Sequence, residues 1–127
     1  MTAELPRSSE ATVTVSRAEL LGPVLGRVVG MLAARAQCPI DRLDDALLLT
    51  DAVAAHAPGL AGNGSVTVKV QTDRKGLLLL VGPLPGDAAQ ALVAAATLPG
   101  VGNVFERVAD EVRPLASDLR LHLTFRP

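Results

Sequence analysis

Paired cysteines, an excess of charge and long apolar runs are all missing from this sequence, and each absence excludes a class of protein. The single cysteine, Cys38, cannot close an internal disulfide. Twelve basic against 13 acidic side chains leave a formal net charge of -1, with the basic residues scattered, so the chain lacks the field that draws a nucleic-acid binder to phosphates. No uninterrupted apolar stretch approaches the roughly 20 residues that a membrane helix requires. The segment Met1 to Glu10 has no basic start followed by an apolar run, which makes the cytoplasm the expected location. Aromatic residues are scarce too, with no Trp, no Tyr and two Phe, so the 49% hydrophobic fraction is carried by Ala, Leu and Val. A chain of 127 residues is long enough to bury one self-sufficient core.

What is present is a succession of periodic segments. Residues 1–10 are polar and aperiodic and are expected to be a flexible tail before a single domain over 11–127. Thr12 to Val15 alternates, placing Val13 and Val15 on one face of a short strand. Ser16 and Glu19 have the spacing of a capping box. Leu21, Val24, Leu25, Val28 and Leu32 recur at helical spacing, with Arg27 and Arg35 left for solvent. Pro23 suits a first helical turn and would cost about 3 kcal/mol in a helix interior. After Pro39, Asp41, Asp44 and Asp45 suit the positive end of a second helix with Leu43, Leu47 and Val53 inward, ended by Pro58-Gly59.

Val66, Val68 and Val70 alternate in a strand that turns at Asp73-Arg-Lys-Gly76 and returns as Leu77 to Val81, an unbroken apolar run expected to be buried on both faces. Asp87 to Thr97 is Ala-rich and helical in character. Asn103 is a good N-cap for a helix over Asn103 to Val112, with Val104, Phe105, Val108 and Val112 on one stripe. Leu119, Leu121, Leu123 and Phe125 alternate in a closing strand. This order predicts an α/β fold of the α+β type. It would be a two-layer sandwich in which a mixed, mostly antiparallel sheet of about four strands is backed by three to four helices.

Isolated chemical signatures are weak. His56 and His122 fall on different elements and Cys38 stands alone before Pro39, so no metal-ligand or nucleophile spacing appears. The run Gly59 to Gly64 lacks the Lys-Ser/Thr ending of a phosphate-binding loop.

Taken in order, three stretches carry more. Leu43-Asp-Asp-Ala-Leu-Leu-Leu-Thr-Asp-Ala52, Leu77-Leu-Leu-Leu-Val-Gly-Pro-Leu-Pro-Gly86 and Gly100-Val-Gly-Asn-Val-Phe-Glu-Arg-Val-Ala-Asp-Glu-Val112 resemble the small anti-sigma-factor serine kinases of the GHKL, or Bergerat, ATPase superfamily. The resemblance spans about residues 12 to 126 and implies a histidine-kinase-like ATPase fold. It puts Asp51 at the position of the family's catalytic Glu. Its Mg²⁺-holding Asn falls on Ala54 or Ala55, depending on the gap chosen, and alanine cannot ligate a metal. Gly82 stands where an Asp accepts from the adenine amino group, Leu84 replaces the middle glycine of that box, and Gly86 matches. Gly100 and Gly102 match the loop that approaches the phosphates.

The resemblance therefore implies a degenerate regulatory domain without a bound cofactor, acting by protein–protein binding in bacterial sigma-factor signalling. The expected partner is a sigma factor or an anti-anti-sigma protein, and a homodimer is a further expectation, with neither nucleic acid nor membrane as a partner. The expected contact surfaces are the first helix, with Arg27 and Arg35, and the rims of the Gly loops. An active ATP- and Mg²⁺-dependent serine kinase with Asp51 as base is the alternative. A purely structural assembly module is the third reading.

Overall fold

A computed structural model describes residues 8–125. The first strand, β1 (Ser8–Val15), already begins inside the stretch expected to be a tail, while Met1 to Arg7 lie outside the described residues. Two long helices follow, α1 (Ala18–Arg35) and α2 (Ile40–His56), then the hairpin β2 (Val66–Asp73) and β3 (Gly76–Gly82). The second half holds α3 (Ala88–Ala95), two very short strands, β4 (Thr97–Leu98) and β5 (Gly102–Asn103), and one turn and a half of helix, α4 (Val104–Val108). Two strands close the chain, β6 (Glu111–Pro114) and β7 (Leu119–Thr124).

The main sheet has five strands in the order β1-β2-β3-β7-β6, and every neighbouring pair is antiparallel. It is therefore one strand larger than the sequence implies and not mixed. The extra strand is β6. The helix predicted over Asn103 to Val112 stops at Val108, and Ala109 is extended, so Glu111 to Pro114 join the edge of β7 instead. Asp110 fixes this change of course: its backbone N–H donates to His122 O at 2.8 Å and its carboxylate accepts from Thr124 N at 2.6 Å. Pro114 is tolerated because β6 is an edge strand.

Pairing register lines up apolar rows on one face. Val13, Val68, Val81 and Leu119 form one row, and Ala11, Val70, Leu79, Leu121 and Val112 form the next. Leu21, Leu25, Val29 and Leu32 of α1, with Ala46, Leu49 and Val53 of α2, cover this face and are at most 2% exposed. Burying each of these leucine and valine side chains contributes about 1.5–3 kcal/mol, which makes this layer a major source of stability. Thr72, at the end of β2, is buried and donates to Leu32 O at the C-terminal end of α1.

Several helix details differ from the sequence reading. The Ser16/Glu19 capping box does not form; Arg17 is the N-cap residue and its guanidinium bonds Glu19 at 3.1 Å. Pro23 lies inside α1 as its sixth residue rather than in its first turn. Val24 is 39% exposed, whereas Val29 and Ala33 take places on the buried stripe. On α2 the fully buried positions are Ala46, Leu49, Thr50 and Val53, and Leu43 and Leu47 are half-buried.

Among the described residues no helix covers the other face of the sheet. Leu78 and Leu80 are partly exposed there, so β3 is not buried on both faces. Around them lie Lys69, Gln71, Arg120, His122 and Glu111, and across β1 the Glu10 carboxylate meets Lys69 at 3.3 Å and Gln71 at 2.8 Å. Among the described residues no helix is long and apolar enough to cross a membrane.

Two outcomes follow from this architecture. Replacing the solvent-facing Pro23 by Ala restores an interior helix N–H and is expected to stabilise the protein by about 1–3 kcal/mol, read from urea denaturation. The Gln71 amide, aided by Lys69, holds the Glu10 carboxyl below its ordinary value of 4.5. A carboxyl lowered in this way stabilises the fold above its unfolded value and loses that contribution as pH falls through the folded one. An NMR titration of Glu10 should accordingly show a midpoint below 4.5 that moves upward in Gln71→Ala.

Candidate functional site

The loop after α2 and the loop after β3 meet. Gly62 N donates to Pro83 O at 3.3 Å, and a β-carbon at Gly62 would lie 3.0 Å from Pro85 Cγ. Between them the chain is pinned from the other side, since Leu84 N donates to Ser117 O at 2.7 Å and the Leu84 side chain is 1% exposed. The Gly82–Pro83 peptide bond is cis. Leu84 thus inserts the middle of the Gly82 to Gly86 loop into the core.

Gly82 itself is buried at the end of β3. A β-carbon there would collide with Asp118 Oδ1 and lie 3.1 Å from Ser117 O. The space above Gly82 is therefore occupied by a carboxylate that arrives from the start of β7. This answers why glycine stands at the position, and the signal was invisible in the sequence because Asp118 is distant along the chain.

Gly86, Gly100 and Gly102 have φ of +58°, +76° and +102°, values that L side chains rarely adopt. Gly100 and Gly102 form the tip and return of the small β4–β5 hairpin, closed by Val101 N donating to Leu98 O at 3.1 Å and by Arg107 Nη1 donating to Val101 O. Asn103 caps α4 as the sequence predicts: its Oδ1 accepts from Glu106 N at 3.1 Å, while its Nδ2 donates to Val93 O and Thr97 Oγ1. The hairpin is thereby tied to the end of α3.

Asp51 lies on the exposed side of α2, between Thr50, which is buried and bonds back to Ala46 O at 2.9 Å, and Ala52. No hydrogen bond or ion pair joins Asp51 to another described residue. Ala54 is half-buried in the α1–α2 seam, where a β-carbon on Gly22 would be 3.5 Å from its own, and Ala55 is exposed. His56 is the last residue of α2, His122 is half-buried opposite Leu78 and Glu111, and the Cys38 thiol donates to Pro39 O at 3.3 Å. The predicted site residues are thus spread over an exposed helix face, a strand end and a hairpin. Among the described residues no group of three or more His, Cys, Asp and Glu is arranged to hold a metal ion.

A cleft of about 290 Å³ opens between α3, α4 and β6, lined by Val93, Glu106, Ala109, Asp110, Val112 and Pro114. Its lining carries two carboxylates and no cation, which disfavours a polyphosphate. The Asp110 carboxylate is also engaged by Thr124 N and, at 3.5 Å, by Arg42, which bonds Asp45 at 3.0 Å.

The packing over Gly82 yields a direct test. Gly82→Ala is expected to destabilise the fold by about 1–3 kcal/mol, and the major part of that loss should return in the Asp118→Ala background, because the closest clash is with the carboxylate. Denaturant midpoints of the two single variants and the double variant measure the coupling. No protein-family model matches this chain, and no curated protein sequence matches it significantly.

Proposed function

We propose that this chain is an ATPase-like regulatory domain of the Bergerat type that has no nucleotide site and acts by binding a protein partner. The observation that carries the reading is the state of the loop from Gly82 to Gly86. Its first residue is roofed by Asp118, its centre is buried as Leu84, and Pro83 and Pro85 restrict what remains. Filled by the protein's own atoms, this stretch carries no side-chain carboxylate of its own for an adenine amino group, and the carboxylate over Gly82 is that of Asp118.

The remaining boxes agree. Asp51 faces solvent, away from the buried side of α2, and Ala54 supports a close helix crossing rather than a metal ion. Gly100 and Gly102 are accounted for by the turn they make. A domain that keeps its sheet and helix packing while these positions serve packing and turns is suited to recognition, not phosphoryl transfer. By the resemblance, the partner is a sigma factor or an anti-anti-sigma protein in a bacterial cytoplasm.

Calorimetric titration of ATP and ADP with and without Mg²⁺ checks this reading. No saturable binding is expected up to millimolar nucleotide, an affinity of about -4 kcal/mol or weaker. Micromolar binding that requires Mg²⁺ would overturn it and leave an ATP-dependent serine kinase with Asp51 as base.

A further inference from the structure

The two edges of the main sheet are guarded unequally. The β6 edge has four residues and combines Pro114 with Glu111 and Arg113, devices that discourage a further strand. The β1 edge has eight residues and holds neither proline nor lysine. Its one charged side chain, Glu10, reaches inward across the sheet to Lys69 and Gln71 of β2. Among the described residues no backbone hydrogen bond joins β1 to any element but β2. In an antiparallel pair alternate residues point their N–H and C=O away from the neighbour, so β1 turns a row of backbone donors and acceptors outward.

An apolar shelf lies beside this edge. Helix α1 packs on β1 and β2 and sets its Gly22 side against Ala54 of α2, so its opposite flank lies on the β1 side. That flank carries Val24, Val28, Met31 and Arg35 at four- and three-residue steps. Val24 is 39% and Met31 54% exposed. From Leu20 to Arg35 the helix has no carboxylate. Thr72, the partner of Ser9, donates to Leu32 O, which places Arg35 at the Ser8 end of the edge, the same end as the turn residues Arg74 and Lys75. Carboxylates at that end are already engaged, Glu10 by Lys69 and Gln71, and Asp73 by Lys75 N and Gly76 N.

We infer that the β1 edge takes up an extended segment of a partner protein as a further strand, a segment with apolar residues at alternate positions and a carboxylate where it passes Arg35. Strand addition satisfies the outward backbone groups of β1, and every second side chain of the added segment then turns to the helical side of the sheet. There it covers Val24, Val28 and Met31, and its acidic end meets the cations near Ser8. The intervening side chains lie beside the exposed Thr12 and Thr14 and are polar. A second copy of β1 suits this edge less well, because it brings the same cationic flank and no carboxylate to it. The inference goes beyond the function proposed above: it concerns how a segment is captured, uses neither Asp51 nor the Gly loops, and stands whether or not the domain binds nucleotide.

The test uses the full chain and a capped synthetic peptide about as long as β1, with valine at alternate positions, threonine between them and glutamate at both ends. Saturable binding with a Kd below about 1 mM is expected. Amide hydrogen exchange followed by NMR should show protection gained at alternate residues of β1, those whose N–H points away from β2. N-methylating one alternate set of peptide amides should weaken binding about tenfold or more, and methylating the other set should leave it unchanged. Met31→Glu with Arg35→Glu should also weaken binding about tenfold, with unchanged circular dichroism because both positions are exposed. No saturation at millimolar peptide, protection without alternation, equal effects of the two methylated peptides or undiminished binding by the variant would each overturn the inference. So would outward β1 amides that are protected without peptide and increasingly so at higher protein concentration, since a second copy would then close the edge.

Discussion

One-sided burial of the main sheet governs everything else in this molecule. Valine and leucine occupy the inward positions of β1, β2, β3 and β7 in register, and the row Val13-Val68-Val81-Leu119 gives α1 and α2 a continuous apolar floor. A shift of β2 or β7 by one residue would exchange its inward residues for Lys69 and Gln71 or for Arg120 and His122, so register and helix docking enforce each other. The Asx turn at Asp73, whose carboxylate accepts from Lys75 N and Gly76 N, sets the register where the central hairpin begins.

Once the floor is fixed, so is the rotation of the helices. Ala46, Leu49, Thr50 and Val53 turn α2 so that Asp51 points outward, and no local change could bring it to a pocket beneath the helix without unburying that stripe. The close approach of α1 and α2 at Gly22 and Ala54 has the same origin. Asp51 is thereby placed on the solvent-facing side of α2, and Ala54 in its seam with α1.

The elements that could be read from the sequence are those whose signal is local. The alternation of Val66, Val68 and Val70 and of Leu119, Leu121 and Leu123 marks half-buried strands, and the turn residues between β2 and β3 name their own hairpin. The Asn103 cap is equally local. Strand β6 was hidden because Val104, Val108 and Val112 continue a helical spacing across the point where Asp110 bonds to His122 and Thr124, partners the spacing cannot reveal. The capping box failed for a similar reason, Glu19 being held by Arg17. At the candidate site, the character of Gly82 depends on Asp118 and that of Leu84 on Ser117, both supplied by a distant segment.

What a glycine does in the fold depends on its surroundings as well as on the stretch it stands in. A glycine that in isolation suggests room for a ligand can mean the reverse when another part of the chain fills that room, and Gly82 is such a case. Gly100 and Gly102 show the second possibility, where positive φ alone accounts for the residue. Neither explanation extends to the exposed side of α1 and α2, where backbone geometry and core packing place no demand on side-chain identity. Isolated exposed leucines are ordinary on any protein. Leu20, Val24, Met31 and Leu48 are nevertheless exposed on α1 and α2 where the core does not demand them, which gives the exposed sides of these helices an apolar character of their own.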